Sequence, residues 1–290
     1  MRSTIRGLLL AVTALIVSQY ASAQTPTLDD LGTTTVYLHV DEPQFEWKAG
    51  IRYEIGLKDP STGKSISRPV TTNSGTGFLV CVESRTFLIT AKHLALAINA
   101  KWSATVRSGG TTQALTFALS DLIGESSAAW TFHDDADVAA IELHQKKNLP
   151  PISKNCIPID LLPRQLEAPT RGQTITVIGF PLKLGAADEF SPISHEMRAA
   201  SSLVTILSPL DGRPETVFLV DSPSVLGFSG APLFKWPLFD VAGSTISGGG
   251  QTQLLGLAQG TLSDNTGGKF GIVVPCTFIR ETIERAQKAH

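Results

Sequence analysis

Short apolar runs separated by Gly, Pro, Asn, Asp and Ser dominate this chain, and they limit its possible folds more than any other feature. The runs do not alternate with helical segments of ten or more residues, which argues against a doubly wound parallel sheet. Many short strands with turn residues between them favour antiparallel barrels or sandwiches. The predicted strands are Gly75–Val82, Thr86–Thr90, Asp137–Leu143, Thr174–Phe180, Thr216–Val220, Leu254–Ala258 and Phe270–Val274.

The predicted strands fall into two groups, which we interpret as two β units at 70–145 and 171–275. The interval 146–170 contains five prolines and little periodicity, so it is interpreted as a linker. The interval 24–69 precedes the first unit and is interpreted as an N-terminal arm that could add a strand. Near the end of the chain, Ile279, Ile283 and Ala286 have the spacing of one apolar helix face. They predict a short helix within 276–290 that packs on the second unit.

Residues 1–23 have the pattern of a secretory signal peptide. Arg2 and Arg6 precede the apolar run Gly7–Val17, and the segment closes with Ala-Ser-Ala at position 23. The run is too short to span a bilayer as a stable helix, although an uncleaved signal anchor is the alternative. Cleavage after Ala23 would leave 267 of the 290 residues. A soluble exported protein, periplasmic or secreted, is therefore expected.

The net charge and the cysteine content limit which partners, disulfides and metal sites can be expected. The formal net charge of −2 and the scattered basic residues give no reason to expect nucleic acid as a partner. Cys81, Cys156 and Cys276 allow at most one internal disulfide, the sequence does not choose the pair, and three buried thiols fit equally well. The cysteines lack the spacing of a metal site, so neither a metal nor another cofactor is expected. The oligomeric state stays open.

The stretch LGFSGAPLF, at 226–234, places Ser229 between two glycines and before a proline. A tight turn explains this composition, since Gly, Ser and Pro are common turn residues. The alternative is a nucleophile on a sharply bent backbone, whose flanking glycines let two N–H groups face a substrate carbonyl. That second interpretation requires a base and an orienting carboxylate elsewhere in the chain.

His93 and Asp137 are the candidates for that base and carboxylate. His93 directly follows an apolar strand, and Asp137 ends an acidic cluster that runs into another strand. A histidine bonded within the core and a carboxylate capping a turn are the alternatives. The order His93, Asp137, Ser229 differs from that of α/β-hydrolases, because only His290 follows the serine. It also differs from the subtilisin order, in which the aspartate comes first.

Five motifs in this order resemble the trypsin-like (chymotrypsin-fold) serine endopeptidases, and most of all the exported bacterial HtrA type. They are GTGFLV at 75–80, TAKH at 90–93, DADVAAIEL at 135–143, GFSGAP at 227–232 and LLGLAQG…FGIVVP at 254–275. The resemblance implies an all-β fold of two six-stranded antiparallel barrels with a short C-terminal helix. The active site would occupy the cleft between the barrels, with His93 and Asp137 on the first and Ser229 on the second.

The resemblance also implies a role for each residue and a protein or peptide as substrate. His93 would act as general base and then as general acid, and Asp137 would fix its tautomer and stabilise the imidazolium. Ser229 would attack the scissile carbonyl and pass through an acyl-enzyme. The backbone N–H groups of Gly227 and Ser229 would form the oxyanion hole. The resemblance implies no metal and no other cofactor.

The primary specificity pocket is expected at Pro223, Gly256, Leu257 and Ala258. Pro223 occupies the position where an acidic residue would suit Lys or Arg substrates. No histidine lies between His195 and His290, whereas glutamyl specificity in the family usually recruits one. Both observations favour a small or apolar neutral side chain, although Asp221 or Asp264 could enter the pocket and reverse this.

Two residues of the serine motif depart from the HtrA pattern. Phe228 replaces an asparagine and Ala231 replaces a glycine, and no PDZ module follows the protease-like region. These departures favour the alternative of a catalytically silent trypsin-like module that binds or acts as a scaffold. A β-rich adhesion or carbohydrate-binding protein is a third hypothesis, which leaves the ordered motifs unexplained.

Overall fold

The computed structural model describes residues 26–40, 45–48, 51–58, 65–69, 74–99, 101–124, 129–144, 149–150, 155–208, 211–236, 238–242, 245–249 and 252–288. The predicted signal peptide, 1–23, lies outside these residues. Within them, helices are too short or too polar to cross a membrane.

Two antiparallel sheets form most of the molecule, with strands numbered in chain order. The first sheet has the order β8-β7-β1-β5-β6-β10-β9, and β11 pairs with β5 at its side. Its strands are β1 (Thr35–Val40), β5 (Ser74–Val82), β6 (Arg85–Thr90), β7 (Trp102–Arg107), β8 (Ala114–Ala118), β9 (Thr131–Phe132), β10 (Ala139–Glu142) and β11 (Ile157–Pro158).

The second sheet has the order β13-β12-β16-β19-β20-β15-β14. Its strands are β12 (Thr174–Gly179), β13 (Ile193–Arg198), β14 (Val204–Leu207), β15 (Pro214–Val220), β16 (Pro232–Lys235), β19 (Gln253–Ser263) and β20 (Lys269–Pro275). Two smaller sheets consist of β2 (Phe45–Lys48), β3 (Ile51–Lys58) and β4 (Ser65–Pro69), and of β17 (Leu238–Ala242) and β18 (Thr245–Gly249).

Among the described residues the two large sheets contain eight and seven strands, where the family resemblance implies six in each. The first sheet gains strands from both intervals that flank the predicted first unit. β1 comes from 24–69 and lies between β5 and β7, and β11 comes from 146–170 and pairs in parallel with β5. A disulfide joins Cys81 to Cys156 beside this pairing. Among the described strands, neither sheet closes into a ring of hydrogen bonds.

Among the described residues, four α-helices accompany the sheets: α1 (Leu28–Gly32), α2 (Lys92–Ala97), α3 (Leu119–Ile123) and α4 (Cys276–Lys288), with 3₁₀ turns at Ile159–Leu161 and Pro181–Lys183. α4 buries Ile279, Ile283 and Ala286, the apolar face that the sequence predicts. The helix packs against β9 and β10 of the first sheet as well as β19 and β20 of the second, and so extends beyond the second unit. Cys276 at its start is a thiol whose pKa is raised by complete burial.

One continuous core joins the two sheets. Phe78 and Phe87 of the first sheet, Phe234 and Leu257 of the second, and Ile279 of α4 belong to a single buried cluster. Side chains of this size stabilise a fold by roughly 1.5–3 kcal/mol each when fully buried. The shared core fixes one sheet against the other, and this is what positions residues from the two halves of the chain side by side.

Candidate active site

His93 and Asp137 lie at adjoining ends of two paired strands. His93 is the second residue of α2, which begins just after β6 ends, and Asp137 lies two residues before β10 begins. β10 pairs antiparallel with β6, with Ala139 opposite Thr90. In an antiparallel pair the start of one strand adjoins the end of its partner. The strand pairing therefore brings the two side chains together across 44 residues of chain.

Asp137 uses both of its carboxylate oxygens on His93. Oδ2 lies 2.7 Å from His93 Nδ1, and Oδ1 accepts the backbone N–H of His93 at 2.8 Å. The Asp137 side chain is 1% exposed, and that of His93 is 20% exposed. Because an ionised carboxylate only accepts hydrogen bonds, Nδ1 carries the ring proton and Nε2 is left as a basic lone pair.

Ser229 lies in the loop between β15 and β16, and glycine is required on both sides of it. Gly227 has φ +102° and Gly230 has φ +83°, conformations that other residues rarely adopt. A Cβ at Gly227 would lie 2.3 Å from the Phe180 carbonyl oxygen, and one at Gly230 would lie 2.1 Å from that of Thr76. Both backbone conformation and space therefore exclude a larger residue at either position.

Thr76, which lies in the first sheet, forms hydrogen bonds with this loop of the second. Its backbone N–H donates to the Ser229 carbonyl at 2.8 Å, and its hydroxyl donates to the Gly227 carbonyl at 2.8 Å. The Thr76 side chain is completely buried and also accepts the Phe180 N–H at 3.1 Å. With both carbonyls bound on this side, the orientation of the peptide groups around Ser229 is set by the first sheet.

The backbone N–H groups of Gly227 and Ser229 donate to no acceptor among the described residues. Paired free N–H groups in a bent loop can receive a developing oxyanion. Gly227 is buried and Ser229 is half-buried, so little water separates such a charge from the donors. The sequence names the same two groups for this task.

The Ser229 hydroxyl donates to the main-chain carbonyl of Gln259 at 3.3 Å. No hydrogen bond among the described residues joins this hydroxyl to His93 Nε2. His93 and Asp137 are therefore already paired, whereas the Ser229 hydroxyl is bonded to the Gln259 carbonyl.

Of the four predicted pocket residues, Ala258 lines a narrow cavity among the described residues, together with Phe228 of the serine loop. Pro223 is exposed, and a Cβ at Gly256 would lie 2.1 Å from the Val274 carbonyl oxygen. Leu257 is fully buried and points to the core shared with the first sheet. Ala258 packs with Phe228, in a narrow cavity that is also lined by Ser222 and Ser224 among others.

A wider cavity of about 190 Å³ adjoins His93 and Asp137. It is lined by α2, the 134–137 loop and the turn between β14 and β15, with the charged residues Lys92, Asp134, Asp135, Asp211, Arg213 and Glu215. Within the described part of the chain, no three His, Cys, Asp or Glu side chains are grouped in a way that could hold a metal ion.

Sequence reasoning does not identify Glu215 or Gln259 as part of this site. Glu215 begins β15 after Pro214, and Oε1 of its carboxylate accepts the Asp137 N–H at 3.0 Å while Oε2 accepts Gln259 Nε2 at 2.8 Å. Burial raises the pKa of Glu215, and the nearby Asp137 adds to the rise. Gln259 lies where the β19–β20 register shifts by one residue, a β-bulge beside the serine.

Comparison with known proteins identifies the fold. No protein-family model and no curated protein sequence matches the chain. Among solved structures, the MamO protease domain from Magnetospirillum magneticum matches with a TM-score of 0.51 and 13% identity, over 88% of this chain and 98% of that domain. The chain therefore has the two-sheet fold of trypsin-like serine protease domains.

Two further structures match with lower TM-scores. Deg5 has a TM-score of 0.47 and 13% identity, over 89% of this chain and 88% of that chain. The HtrA-type protease AlgW, solved with a decapeptide, has a TM-score of 0.47 and 15% identity, over 90% of this chain and 65% of that chain.

Proposed function

We propose that this protein is an exported serine endopeptidase that hydrolyses peptide bonds through His93, Asp137 and Ser229. The observation that carries the proposal is the use of both Asp137 oxygens on His93, at 2.7 and 2.8 Å. This arrangement leaves Nε2 basic, in a protease-like fold that also carries a glycine-flanked serine. Export rests on the signal-peptide pattern of residues 1–23.

The acylation half of the reaction begins with rotation of the Ser229 hydroxyl from the Gln259 carbonyl to His93. Nε2 removes the hydroxyl proton as Oγ bonds to the scissile carbonyl carbon. The carbonyl π electrons move to its oxygen, which accepts the N–H groups of Gly227 and Ser229. As this intermediate collapses, the C–N bond breaks and His93 gives its proton to the departing amine.

Deacylation repeats these steps with water as the nucleophile. His93 Nε2 takes a proton from water while the water oxygen bonds to the acyl carbon. The resulting oxyanion accepts hydrogen bonds from the same two N–H groups. Collapse breaks the ester bond, Ser229 regains its proton from His93, and the new carboxyl terminus leaves. Asp137 stays ionised throughout and stabilises the imidazolium in both halves.

The proposed substrate has a small or apolar neutral side chain before the scissile bond. The narrow cavity at Ala258 has a volume of about 10 Å³ and is lined mainly by apolar side chains, including Phe228 and Val220, so it favours a small apolar group over a charged one. Asp221 and Asp264, which could have placed a charge there, are exposed and accept backbone N–H bonds from Arg198 and Thr266. Neither lines that cavity.

The second candidate is a catalytically silent module that binds peptides without cleaving them. It is favoured by the hydrogen bond between Ser229 and Gln259, which directs the hydroxyl away from the base. Phe228 and Ala231, which depart from the HtrA pattern, are both buried behind the serine loop. In this alternative the packing around them would keep the hydroxyl in its present position.

Labelling of the mature chain with a fluorophosphonate probe separates the two candidates, because the probe reacts with an activated serine of any specificity. We expect the wild type and His195→Ala, a variant of an exposed histidine on β13, to be labelled. Ser229→Ala and His93→Ala should not be labelled, although circular dichroism should show that both are folded. A folded wild type that resists the probe would refute the protease and favour the silent module.

A further inference from the structure

Glu215 connects the Asp137 side of the candidate site with the Ser229 side through hydrogen bonds. Its side chain is buried, with 4% of the residue exposed, and it lies in the second sheet. Both of its oxygens accept N–H groups, from the Asp137 backbone at 3.0 Å and from Gln259 Nε2 at 2.8 Å. The Ser208 side chain also hydrogen-bonds to it. A carboxylate is the form that accepts from several donors at once.

Gln259 continues the link to the nucleophile. Its main-chain carbonyl accepts the Ser229 hydroxyl at 3.3 Å, and its side chain is held by Glu215. The residue is 3% exposed and lies at the bulge of β19. A chain of three hydrogen bonds therefore runs from Asp137 through Glu215 and Gln259 to Ser229, and it connects the first sheet with the second.

The charge on Glu215 is costly for a residue that only supports the fold. A buried carboxylate loses hydration, and here a second carboxylate, Asp137, lies close by. An uncharged carboxamide would avoid this cost, although its single oxygen accepts from fewer donors. A buried negative charge beside Asp137 does have one chemical use, because it favours the protonated ring of His93 that forms during proton transfer.

We infer that ionised Glu215 is a positioning residue for the proposed reaction: it holds the Asp137 backbone and the Gln259 bulge in register, and its charge stabilises the His93 imidazolium. This inference rests on the proposed function. It adds a second carboxylate to the group that supports the base, and it explains why a buried acid is retained between the two sheets.

Other charged groups around the cavity are compensated or exposed. Lys92 Nζ donates to the His133 carbonyl at 2.9 Å, and Arg285 pairs with Asp134 at 2.8 Å. Arg213 and Asp211 pair at 3.7 Å on the turn between β14 and β15. Asp135 is exposed, so solvent screens it from His93. Glu215 is thus the buried acid that acts on the His93–Asp137 pair from the second sheet.

The test replaces Glu215 with the isosteric glutamine. Gln259 Oε1 is buried without a partner and can accept from the new carboxamide after a flip of the Gln259 amide. We expect Glu215→Gln to move the NMR titration midpoint of the His93 ring down by about 0.5–1 pH unit. The acid limb of kcat/KM should move with it, and kcat should fall about tenfold with little change in KM. Asp135→Asn, the control, removes an exposed charge from the same cavity and should move the midpoint less than half as far.

Stability should respond in the opposite sense to activity. Burial raises the pKa of Glu215, so the folded protein holds this proton more tightly than the unfolded chain does. The resulting stabilisation is present at low pH and is lost as pH rises through the folded value. Glu215→Gln removes this dependence. Its melting temperature should therefore equal or exceed that of the wild type at pH 7.5, and it should rise less than that of the wild type when the pH is lowered to 4.

The NMR midpoint is read without turnover, so it stays informative even if the probe fails to label the wild type. An unchanged midpoint in folded Glu215→Gln would overturn the electrostatic role, whatever the outcome for the proposed function. If that variant does not fold, Gln259→Met breaks the link while the Glu215 charge remains. A kcat at least threefold lower at an unchanged midpoint is then expected, and an unchanged kcat would overturn the positioning role.

Discussion

The proposed base and the proposed nucleophile are built in different ways on the two sheets. His93 and Asp137 are held by the register of paired strands within one sheet, and both carboxylate oxygens are in use. Ser229 lies in a loop with two positive-φ glycines, and its hydroxyl bonds to a carbonyl instead of the base. The base is thus preorganised by its own sheet, whereas the nucleophile depends on contacts from Thr76 of the other.

The largest expected effect follows from breaking the assembled half. Asp137→Asn keeps the shape but faces an amide donor toward His93 Nδ1 and reverses the favoured tautomer. In a serine protease triad this change costs about 10⁴ in turnover, and we expect a similar loss in kcat/KM and in the rate of probe labelling. Asp134→Asn, three residues earlier and exposed, is the control and should retain nearly full activity. A loss below tenfold in Asp137→Asn would contradict the preorganised base.

The disulfide tests whether the first sheet is stabilised independently of the serine loop. Cys81 and Cys156 are 75 residues apart in sequence, and joining a loop of that size stabilises a protein by about 4 kcal/mol. Cys81→Ser with Cys156→Ser should lose that amount in urea unfolding, while probe labelling of the folded variant stays close to the wild type. Cys276→Ala, which changes the buried free thiol, is the comparison. A loss below 1 kcal/mol would mean that the unfolded chain is little constrained by this bond.

Two glycines allow the nucleophile loop to be tested with a matched control. Gly227 and Gly212 both have positive φ, but a Cβ at Gly227 would meet the Phe180 carbonyl at 2.3 Å, whereas one at Gly212 has no described atom within 4 Å. Gly212→Ala should cost about 1 kcal/mol from backbone strain alone. Gly227→Ala should cost about 2–3 kcal/mol and should also abolish labelling, because the loop must shift. Equal stability losses in the two variants would refute the role of the close approach.

The smallest effects are expected where α4 holds the loop that carries Asp137. Glu281 pairs with His133 Nε2 at 2.9 Å, and Arg285 pairs with Asp134 at 2.8 Å. His133 is buried, whereas both partners of the second pair are exposed. Glu281→Gln should therefore cost about 1 kcal/mol and Arg285→Ala about 0.5 kcal/mol or less, measured by chemical unfolding. If Arg285→Ala is the more damaging variant, the ranking by burial fails.

The sequence predicts seven strands of the two large sheets from local apolar runs, and it predicts the pairing of His93 and Asp137 from the order of the motifs and the family resemblance. An apolar run ends at His93 and another begins after Asp137, and antiparallel pairing of two such runs places these ends together. The place of β1 in the first sheet was harder to predict from the sequence, because β1 is one of several segments in the interval 24–69 and no pattern marks it as the one that joins the sheet. The parallel pairing of β11 was equally inaccessible, because a two-residue strand has no periodicity.

Glu215, Gln259 and Thr76 illustrate why the rest of the site could not be predicted. Glu215 meets the Asp137 backbone across 78 residues of chain, and Thr76 meets Gly227 across 151. Such contacts depend on how the two sheets pack and leave no spacing in the sequence. The orientation of the Ser229 hydroxyl depends in the same way on the Gln259 bulge.

The hydrogen bonds from Thr76 to the Ser229 loop have a consequence for when the proposed active site can form during folding. The first sheet leaves the ribosome before the loop that it shapes, and the loop acquires its form only when the two halves dock. The conformation of the Ser229 loop therefore depends on contact between the two sheets. Under the proposed function, a chain whose two sheets have not docked lacks the contacts from Thr76 that shape the serine loop, and we expect it to be inactive. Folding itself would serve as the activation step, without removal of an inhibitory peptide.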